Sequence, residues 1–323
     1  MEQDRPLVSV VIPAFNVAAW IGDTIQSVLD QTYRPIEIIV VDDGSADDTA
    51  LVAGKFGNAV RYIRQPNAGV GAARNAGFNA SRGDLIAFVD ADDLWHPKKL
   101  EEQVALLKSK PQLGWVYSDA FIVDHTAGKV LDRVGRTHSL PDGDIAGSLL
   151  LNNFIACPTP LIRRSVLTLV GGFDERRSLT VAADWFMWLR LAVASPAGCV
   201  RSALANVRSH PGSMTGTMDL QSTYDGKVSV IDQVVALRPR ELSPLRSRAV
   251  SNVRIGMGQW MVRRGEMGRA RSTFLAALRE DPTNPKATLH FLGSLFPRGV
   301  LKLTLKVRKA FVLSLVRASR LAP

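Results

Sequence analysis

The sequence is poor in features that define several large classes of protein. It has two cysteines among 323 residues, too few for a disulfide framework, and neither Cys157 nor Cys199 lies at a metal-site spacing. No stretch matches the GxGxxG or GxxxxGK[ST] patterns, which excludes the usual dinucleotide and Walker phosphate loops. Residues 1–6 carry no apolar signal segment. We therefore expect a cytoplasmic protein with both cysteines reduced.

Acidic charge is scarce in the C-terminal third of the chain. From Lys227 onward there are 19 Lys and Arg against 5 Asp and Glu, a net charge of +14, so the whole-chain charge of +10 leaves −4 for residues 1–226. The rest of the composition, 46% hydrophobic and 22% charged, is that of an ordinary globular protein. The split predicts two regions with different partners, a domain at 1–225 and a basic region at 226–323.

Residues 1–225 alternate short apolar runs with helical patterns. This alternation predicts an α/β fold, a doubly wound and mostly parallel sheet of the Rossmann-like kind. The first predicted strand is stopped by Pro13. The predicted strands are Leu7–Ile12, Ile36–Val41, Val60–Ile63, Leu85–Val89, Trp115–Val123, Lys129–Asp132 and Cys199–Val207, and an apolar helix is predicted at Ala182–Ala194.

Three carboxylates, Asp90, Asp92 and Asp93, follow the apolar run Leu85–Val89 directly. Open α/β sheets bind ligands at the carboxyl ends of their strands. Two aspartates two residues apart offer oxygen ligands to one hard cation, which keeps its other positions for water and phosphate. The alternative is that these aspartates only cap the next helix, which begins near Pro97.

The region from about residue 226 is predicted to be helical throughout, an all-helical C-terminal appendage. Three helices are expected at Val250–Val262, Ala270–Leu278 and Ala287–Leu295, separated by Gly265 and by the run 281–285. The pattern resembles a single tetratricopeptide unit, whereas a stable array needs about three.

The last segment, Arg298–Arg320, alternates apolar residues with Lys and Arg. Its internal charges argue against a membrane span. A basic amphipathic helix on an anionic membrane surface is one interpretation, and a helix that packs its apolar face on the protein is the other. Nucleic acid is not expected as a partner, because no aromatic residues are interleaved with the charges.

Six segments, in order along residues 6–215, resemble the family 2 glycosyltransferases of the GT-A fold. That family is inverting and uses nucleotide-diphosphate sugars. The segments are Val8–Asn16 (VSVVIPAFN), Val41–Ser45 (VDDGS), Gly69–Asn75 (GVGAARN), Asp90–Asp93 (DADD), Gly171–Glu175 (GGFDE) and Ala183–Trp185 (ADW).

The resemblance implies a nucleotide site in the loop after the first strand. Pro13, Phe15 and Asn16 would form this loop, with the Phe15 ring against a planar base. The base is uracil by family habit, with thymine and guanine as the alternatives. The alternative for Phe15 is a place in the hydrophobic core.

Asp43 matches the family's aspartate that accepts the imide N–H of uracil, and Arg74 is expected to contact the nucleotide. The alternatives are a simple turn at residues 42–44 and an ordinary helix arginine.

The resemblance further implies a metal and a general base. Asp92, helped by Asp90, would hold Mg²⁺ or Mn²⁺ against the diphosphate. Asp184 would take the proton from the acceptor hydroxyl. Many members have Glu-Asp at this place, whereas Ala183 precedes Asp184 here. The alternative for Asp184 is a helix N-cap.

Arg208, His210 and Ser213 resemble a later element of the family that closes over the diphosphate. The alternative for His210 is a structural role. The Gln-x-x-Arg-Trp signature of processive synthases is missing, so we expect addition of one sugar to a lipid-linked or cell-surface glycan in envelope polysaccharide biosynthesis, on the inner face of the cell membrane. Two rival functions are a nucleotidyltransferase and a catalytically silent nucleotide-sugar-binding scaffold.

Overall fold

The structure is a computed structural model and describes residues 5–210 and 219–296. The described residues divide into two compact units. The first extends to Asp219 except for Leu150–Asn152, which belong to the second unit together with the residues from Leu220 onward. The predicted tail helix at 298–320 and Ser213 lie outside the described residues.

The first unit is built on a nine-stranded mixed sheet with the order β3-β2-β1-β4-β8-β6-β9-β5, and β7 pairs with β6 outside this path. Strands β1, β2, β3, β4, β6 and β9 run in the same direction, and the other three oppose them, so the predicted mostly parallel sheet is confirmed. The strands are β1 (Val8–Ala14), β2 (Ile36–Asp42), β3 (Arg61–Arg64), β4 (Leu85–Phe88), β5 (Leu94–Trp95), β6 (Trp115–Asp124), β7 (Val130–Arg133), β8 (Leu161–Arg163) and β9 (Ala197–Ser209).

Pro13 does not end the first strand, which corrects the sequence-based boundary. Strand β1 continues to Ala14, and Pro13 pairs with Val41 of β2. Val11 is the last residue of β1 in the ladder with β4, and its carbonyl accepts from Val89. The backbone hydrogen-bonding groups of Pro13 point to the same edge of β1 as those of Val11, the edge next to β4. Since the ladder with β4 ends at Val11, the N–H that proline lacks would have no partner in that ladder.

Helices cover the sheet. Apolar residues of the strands form a core that extends from β1 through β4 to β6, and Ile39 and Val41 of β2 form a separate small cluster with Ala73. The short helices α2, α5, α6 and α7 were not predicted from the sequence. The helices of this unit are α1 (Ile21–Leu29), α2 (Thr49–Gly54), α3 (Val70–Ala80), α4 (Lys99–Ser109), α5 (Val134–Thr137), α6 (Ala146–Leu151), α7 (Arg164–Val170) and α8 (Ala183–Ala194), with two short 3-10 turns at Gly57–Ala59 and Arg177–Ala182. The last two residues of α6 belong to the second unit.

The described part of the second unit is helical, as predicted, and its first helix begins before residue 226. Gly265, with a φ of 86°, ends α11, and Phe274 lies in a small core between α11, α12 and α13. Asn284 caps α13 by accepting a hydrogen bond from the Lys286 N–H at 3.1 Å. The helices are α9 (Leu220–Leu237), α10 (Pro239–Leu242), α11 (Arg246–Arg264), α12 (Met267–Glu280) and α13 (Pro285–Ser294).

Length and apolar character together decide whether a helix can cross a bilayer. None of the helices within residues 5–210 and 219–296 has enough of both.

Candidate active site

Asp90 and Asp92 lie in the turn between β4 and β5, at the carboxyl end of a central parallel strand. Their side chains are 32% and 29% exposed. The helix-capping interpretation is wrong, because the next helix, α4, has Lys98 at its N-cap and no side-chain cap bond. The two carboxylates are therefore accessible and free of a capping role.

Asp93 is buried and joins this turn to the end of β9. Strand β5 pairs antiparallel with β9, which brings the Arg208 N–H to 3.0 Å from the Asp93 carboxylate. Burial raises the pKa of Asp93 well above its ordinary value, and the charges of Asp90 and Asp92 add to the rise. Asp93 is thus a structural anchor between the two halves of the site.

Arg208, near the end of β9, is buried and crosses from the carboxylate turn to helix α1. Its Nε donates to the backbone carbonyl of Asp92. Its two terminal nitrogens reach the Asp23 carboxylate at 3.1 Å and the Trp20 carbonyl at 3.2 Å, and a weaker contact of 3.4 Å reaches the Thr24 hydroxyl. The guanidinium also lies 5.3 Å from the centre of the Trp20 ring. Arg208 is therefore held in place from several sides.

His210 follows β9 and meets the second carboxylate of the turn. Its Nε2 lies 3.0 Å from Oδ2 of Asp92. Its ring stacks on Trp20 with the ring centres 4.6 Å apart and an angle of 25°. The structure thus brings Arg208 and His210, which were predicted to act together, onto the same aspartate.

Arg74, on α3, is only 4% exposed and pairs with the first carboxylate. One terminal nitrogen donates to Asp90 at 2.6 Å and lies 3.1 Å from the Sγ of Cys157. The guanidinium stands 5.0 Å from the Phe173 ring centre. Its Nε has no hydrogen-bond partner among the described residues. Arg74 therefore orients the Asp90 carboxylate. An ordinary, solvent-facing helix arginine would not make this contact.

Asp42 and Asp43 have different roles at the end of β2. Oδ1 of Asp42 accepts from the Ser45 N–H at 2.7 Å, which closes the local turn. Asp43 reaches the loop before α3 instead, where its carboxylate accepts from the N–H groups of Ala68 at 2.9 Å and Gly69 at 2.8 Å. The turn interpretation therefore describes Asp42 but not Asp43.

Pro13, Phe15 and Asn16 end β1 and open the loop beside that turn. Phe15 is 49% exposed, so its placement in the core is wrong. Asn16 adopts a φ of 51°, its N–H donates to the Ser45 hydroxyl at 2.9 Å, and its side-chain oxygen accepts from the Ala46 N–H at 2.8 Å. These hydrogen bonds therefore join the loops after β1 and β2, and the exposed ring of Phe15 belongs to the first of the two loops.

Asp184 lies in the first turn of α8 and is half-buried. It is not the helix cap, since Ala182 occupies that position, and its Oδ1 accepts from the Trp185 N–H at 2.6 Å. Burial raises the pKa of the Cys157 thiol well above its usual value, and the charges of Asp90 and Asp184 add to the rise. Asp184 therefore belongs to the same electrostatic environment as Asp90.

The turn that leads to Asp184 packs on α3. Asn75 of α3 accepts from the Phe173 N–H at 2.7 Å and donates to the Phe173 carbonyl at 2.9 Å and to Glu175 at 2.7 Å. A Cβ on Gly71 would lie 2.6 Å from the Asp174 carbonyl oxygen. The small residues of the GVGAARN segment therefore allow this close packing.

The donor set suits a divalent cation that keeps other ligands. Within the part of the chain that the structure describes, no group of three or more His, Cys, Asp and Glu side chains is arranged to hold a metal. Asp90 and Asp92 offer hard carboxylate oxygens that remain partly exposed. Mg²⁺ is commonly bound by one or two carboxylates together with water and substrate phosphates. The residues present fit such an ion.

Several contacts of the site were not predicted from the sequence. Trp20 and Asp23, which lie before and in the first turn of α1, were assigned no role in the site. Cys157 and Phe173 were not assigned a contact with Arg74 either. An apolar ring near a helix start gives no signal of its partners, which lie 105 or more residues further along the chain.

The segment containing residues 9–167 matches the family model of glycosyl transferase family 2. An uncharacterised glycosyltransferase of Rickettsia typhi is 32% identical over 214 residues, which cover 66% of this chain and 67% of that protein. S. aureus TarS 1–349, solved with UDP-GlcNAc, superposes with a TM-score of 0.66 at 15% identity over 93% of this chain and 91% of that one.

A mannosyltransferase of Pyrobaculum calidifontis, solved with GDP-Man and Mn²⁺, has a TM-score of 0.60 at 17% identity and covers 96% of this chain and 85% of its own. These two superpositions confirm the GT-A type of fold. The sequence match to the family model and to the rickettsial relative agrees with the carboxylate turn and the loops around it. The chain belongs to glycosyltransferase family 2.

Proposed function

We propose that the protein is a metal-dependent inverting glycosyltransferase that moves one sugar from a nucleotide-diphosphate sugar to a hydroxyl of a lipid-linked or cell-surface glycan. The observation that carries the proposal is the carboxylate turn. Asp90 and Asp92 are partly exposed there, Arg208 and His210 contact Asp92, and Asp184 influences the electrostatics on the Asp90 side.

The nucleotide would lie over the loops after β1 and β2. Phe15 offers an exposed ring face for a planar base, and Pro13 and Asn16 fix the loop that carries it. Asp43 would accept the imide N–H of uracil, since carboxylate oxygens can accept further bonds besides those from Ala68 and Gly69. UDP-GlcNAc in the TarS structure supports a uridine nucleotide.

The diphosphate would lie between the carboxylate turn and the end of β9. Asp92 and Asp90 would hold Mg²⁺ or Mn²⁺ there, and the ion would neutralise charge on the departing diphosphate. Arg208, His210 and Ser213 would donate charge-assisted hydrogen bonds to the same oxygens. Arg74 would act on the nucleotide side by fixing Asp90.

Asp184 would act as the general base. The acceptor oxygen attacks the anomeric carbon while its proton passes to the Asp184 carboxylate, and the bond from the anomeric carbon to the diphosphate oxygen breaks. One displacement inverts the anomeric centre. The diphosphate leaves with the electron pair of the broken bond.

The test is release of nucleoside diphosphate from UDP-, dTDP-, GDP- and CDP-sugars with Mg²⁺ or Mn²⁺, with water or an added glycan as acceptor. Asp184→Asn keeps the shape of the side chain but cannot take a proton, so turnover should fall by about 10²–10⁴-fold while donor binding is retained. Turnover that is unchanged in Asp184→Asn would refute the assignment of the base. Nucleotide binding without turnover in wild type would favour the silent scaffold.

We also propose that the basic segment 298–320 binds an anionic membrane surface and so keeps the enzyme on the inner face of the membrane. The segment carries Lys and Arg but no Asp or Glu, and such a segment is attracted to anionic lipid. Leu292, Leu295 and Phe296, which precede it, are exposed. Deletion of residues 298–323 should abolish binding to phosphatidylserine vesicles but leave donor hydrolysis intact. Unchanged vesicle binding would refute this proposal.

A further inference from the structure

Trp20 contacts every side chain that approaches Asp92 from the end of β9. Its ring stacks on His210, and the guanidinium of Arg208 lies 5.3 Å from its centre. Its backbone carbonyl accepts from Arg208 at 3.2 Å. His125 meets the same ring edge-on, with the ring centres 3.9 Å apart. One indole thus lies against the ends of both β6 and β9.

Hydrogen bonds at the start of α1 hold the backbone of Trp20 near the carboxylate turn. Trp20 is the residue before α1, and its carbonyl accepts from the Thr24 N–H in the first turn. The Thr24 hydroxyl in turn donates to the carbonyls of Ala91 at 2.8 Å and Asp93 at 2.9 Å. The start of α1 is therefore fixed to the carboxylate turn itself, which sets the place of the Trp20 backbone relative to Asp92.

Arg208 and His210 both lie against the Trp20 indole. His210 directly follows β9, and its Nε2 lies 3.0 Å from Oδ2 of Asp92. Stacking of aromatic rings and contact of a guanidinium with an indole face both favour one orientation over many. The indole therefore limits the directions in which the imidazole can point.

We propose that Trp20 is a positioning residue of the transfer site, whose indole holds the His210 ring against Asp92 and the Arg208 guanidinium beside it. The inference rests on the proposed function, since it assigns these two side chains to the diphosphate. In this role Trp20 need touch neither substrate nor reacting atoms. It acts by preparing two donors before the donor sugar arrives.

The first measurement needs no substrate. In proton NMR of the free protein, the His210 ring signals should be displaced by the indole ring current, and His210→Ala identifies them among the signals of the five histidines. Trp20→Leu should return them to the values of an unstacked histidine, while Trp20→Phe should retain part of the displacement. His210 signals that are the same in Trp20→Leu and wild type would overturn the proposal.

The second measurement is the dissociation constant of UDP with Mn²⁺. Loss of the stack and of the guanidinium contact should weaken binding about tenfold in Trp20→Leu, with Trp20→Phe close to wild type. In a His210→Ala background the same substitution should have a smaller effect, because one of the two supported side chains is absent. An equal factor in both backgrounds would indicate a general structural effect and contradict the proposal.

A matched control is available in the helical unit. Trp260 also has an arginine near its ring, with Arg264 4.5 Å from the ring centre, but it lies outside the site. Trp260→Leu should leave UDP binding unchanged. If wild type binds no nucleotide, the proposed function fails, while the NMR comparison still decides whether Trp20 positions His210.

Discussion

Replacing Gly71 by alanine tests how the position of Asp184 depends on close backbone packing. Gly71 lies in the first turn of α3, and an added Cβ would stand 2.6 Å from the Asp174 carbonyl oxygen and 3.5 Å from the Glu175 Cα. An ordinary contact begins near 3.4 Å, so the turn must move by about 0.8 Å. The three hydrogen bonds between Asn75 and the turn, two donated and one accepted by its side chain, oppose that movement.

The expected cost follows from two opposing effects. Overpacking of a tightly fitted site costs about 1–3 kcal/mol, whereas alanine in a helix interior is about 1 kcal/mol more favourable than glycine. Gly256 is the control, because it lies in α11 with nothing within 4 Å of an added Cβ. Gly71→Ala should therefore be about 1–3 kcal/mol less stable than Gly256→Ala in urea unfolding.

Turnover should fall as well, because the displaced turn leads to Asp184. A misplacement of about 1 Å costs on the order of 10²-fold in rate, so donor hydrolysis by Gly71→Ala should fall about 10- to 100-fold. Gly256→Ala should retain full activity. If Gly71→Ala is as stable as Gly256→Ala and turns over at the wild-type rate, the packing of this turn does not position Asp184.

Two further predictions concern stability. Lys99 is fully buried, with Nζ 2.7 Å from Gln103 Oε1 and 4.1 Å from the Trp95 ring centre, and burial lowers its pKa well below its ordinary value of 10.5. At pH values between the lowered pKa and 10.5, the unfolded state binds more protons than the folded state. The free energy of unfolding of wild type should therefore rise with pH in this window, by up to about 1.4 kcal/mol per pH unit relative to Lys99→Met. Parallel pH profiles of the two proteins would contradict this. Asn284 is buried, caps α13 and donates to the Ser251 hydroxyl at 2.9 Å. Asn284→Ala should therefore lower the free energy of unfolding by about 2 kcal/mol, whereas Asn284→Asp should keep the cap and lose less. Equal losses for the two variants in a urea titration would refute the capping role.

The order of strands and helices in the first unit was largely predictable because the physics that specifies them is local. Strands of a parallel sheet are buried on both faces and appear as continuous apolar runs, as at Ile38–Val41 and Leu85–Val89. The carboxylates after those runs fall at the ligand-binding edge for the same reason. Pro13 was misjudged because its effect depends on which neighbouring ladder has already ended, a tertiary fact.

The connections within the site were not predictable from the sequence because they join distant residues. Arg208 reaches Asp23 across 185 positions, and His210 reaches Asp92 across 118. No periodicity links such pairs, and the pairing of β5 with β9 places Arg208 and His210 next to the carboxylate turn. The resemblance to the family named Arg208 and His210, but Trp20 between them emerged only from the fold.

The most direct test of the account is a thermal-shift titration with UDP, dTDP, GDP and CDP, each with and without Mn²⁺. A nucleotide at about 100 times its dissociation constant should add roughly 2.7 kcal/mol to the free energy of unfolding. We expect a metal-dependent shift with one nucleotide that is lost in Asp92→Ala and kept in Asp30→Ala, an exposed carboxylate at the end of α1. No shift with any nucleotide, or a full metal-dependent shift in Asp92→Ala, would contradict a diphosphate site at the carboxylate turn.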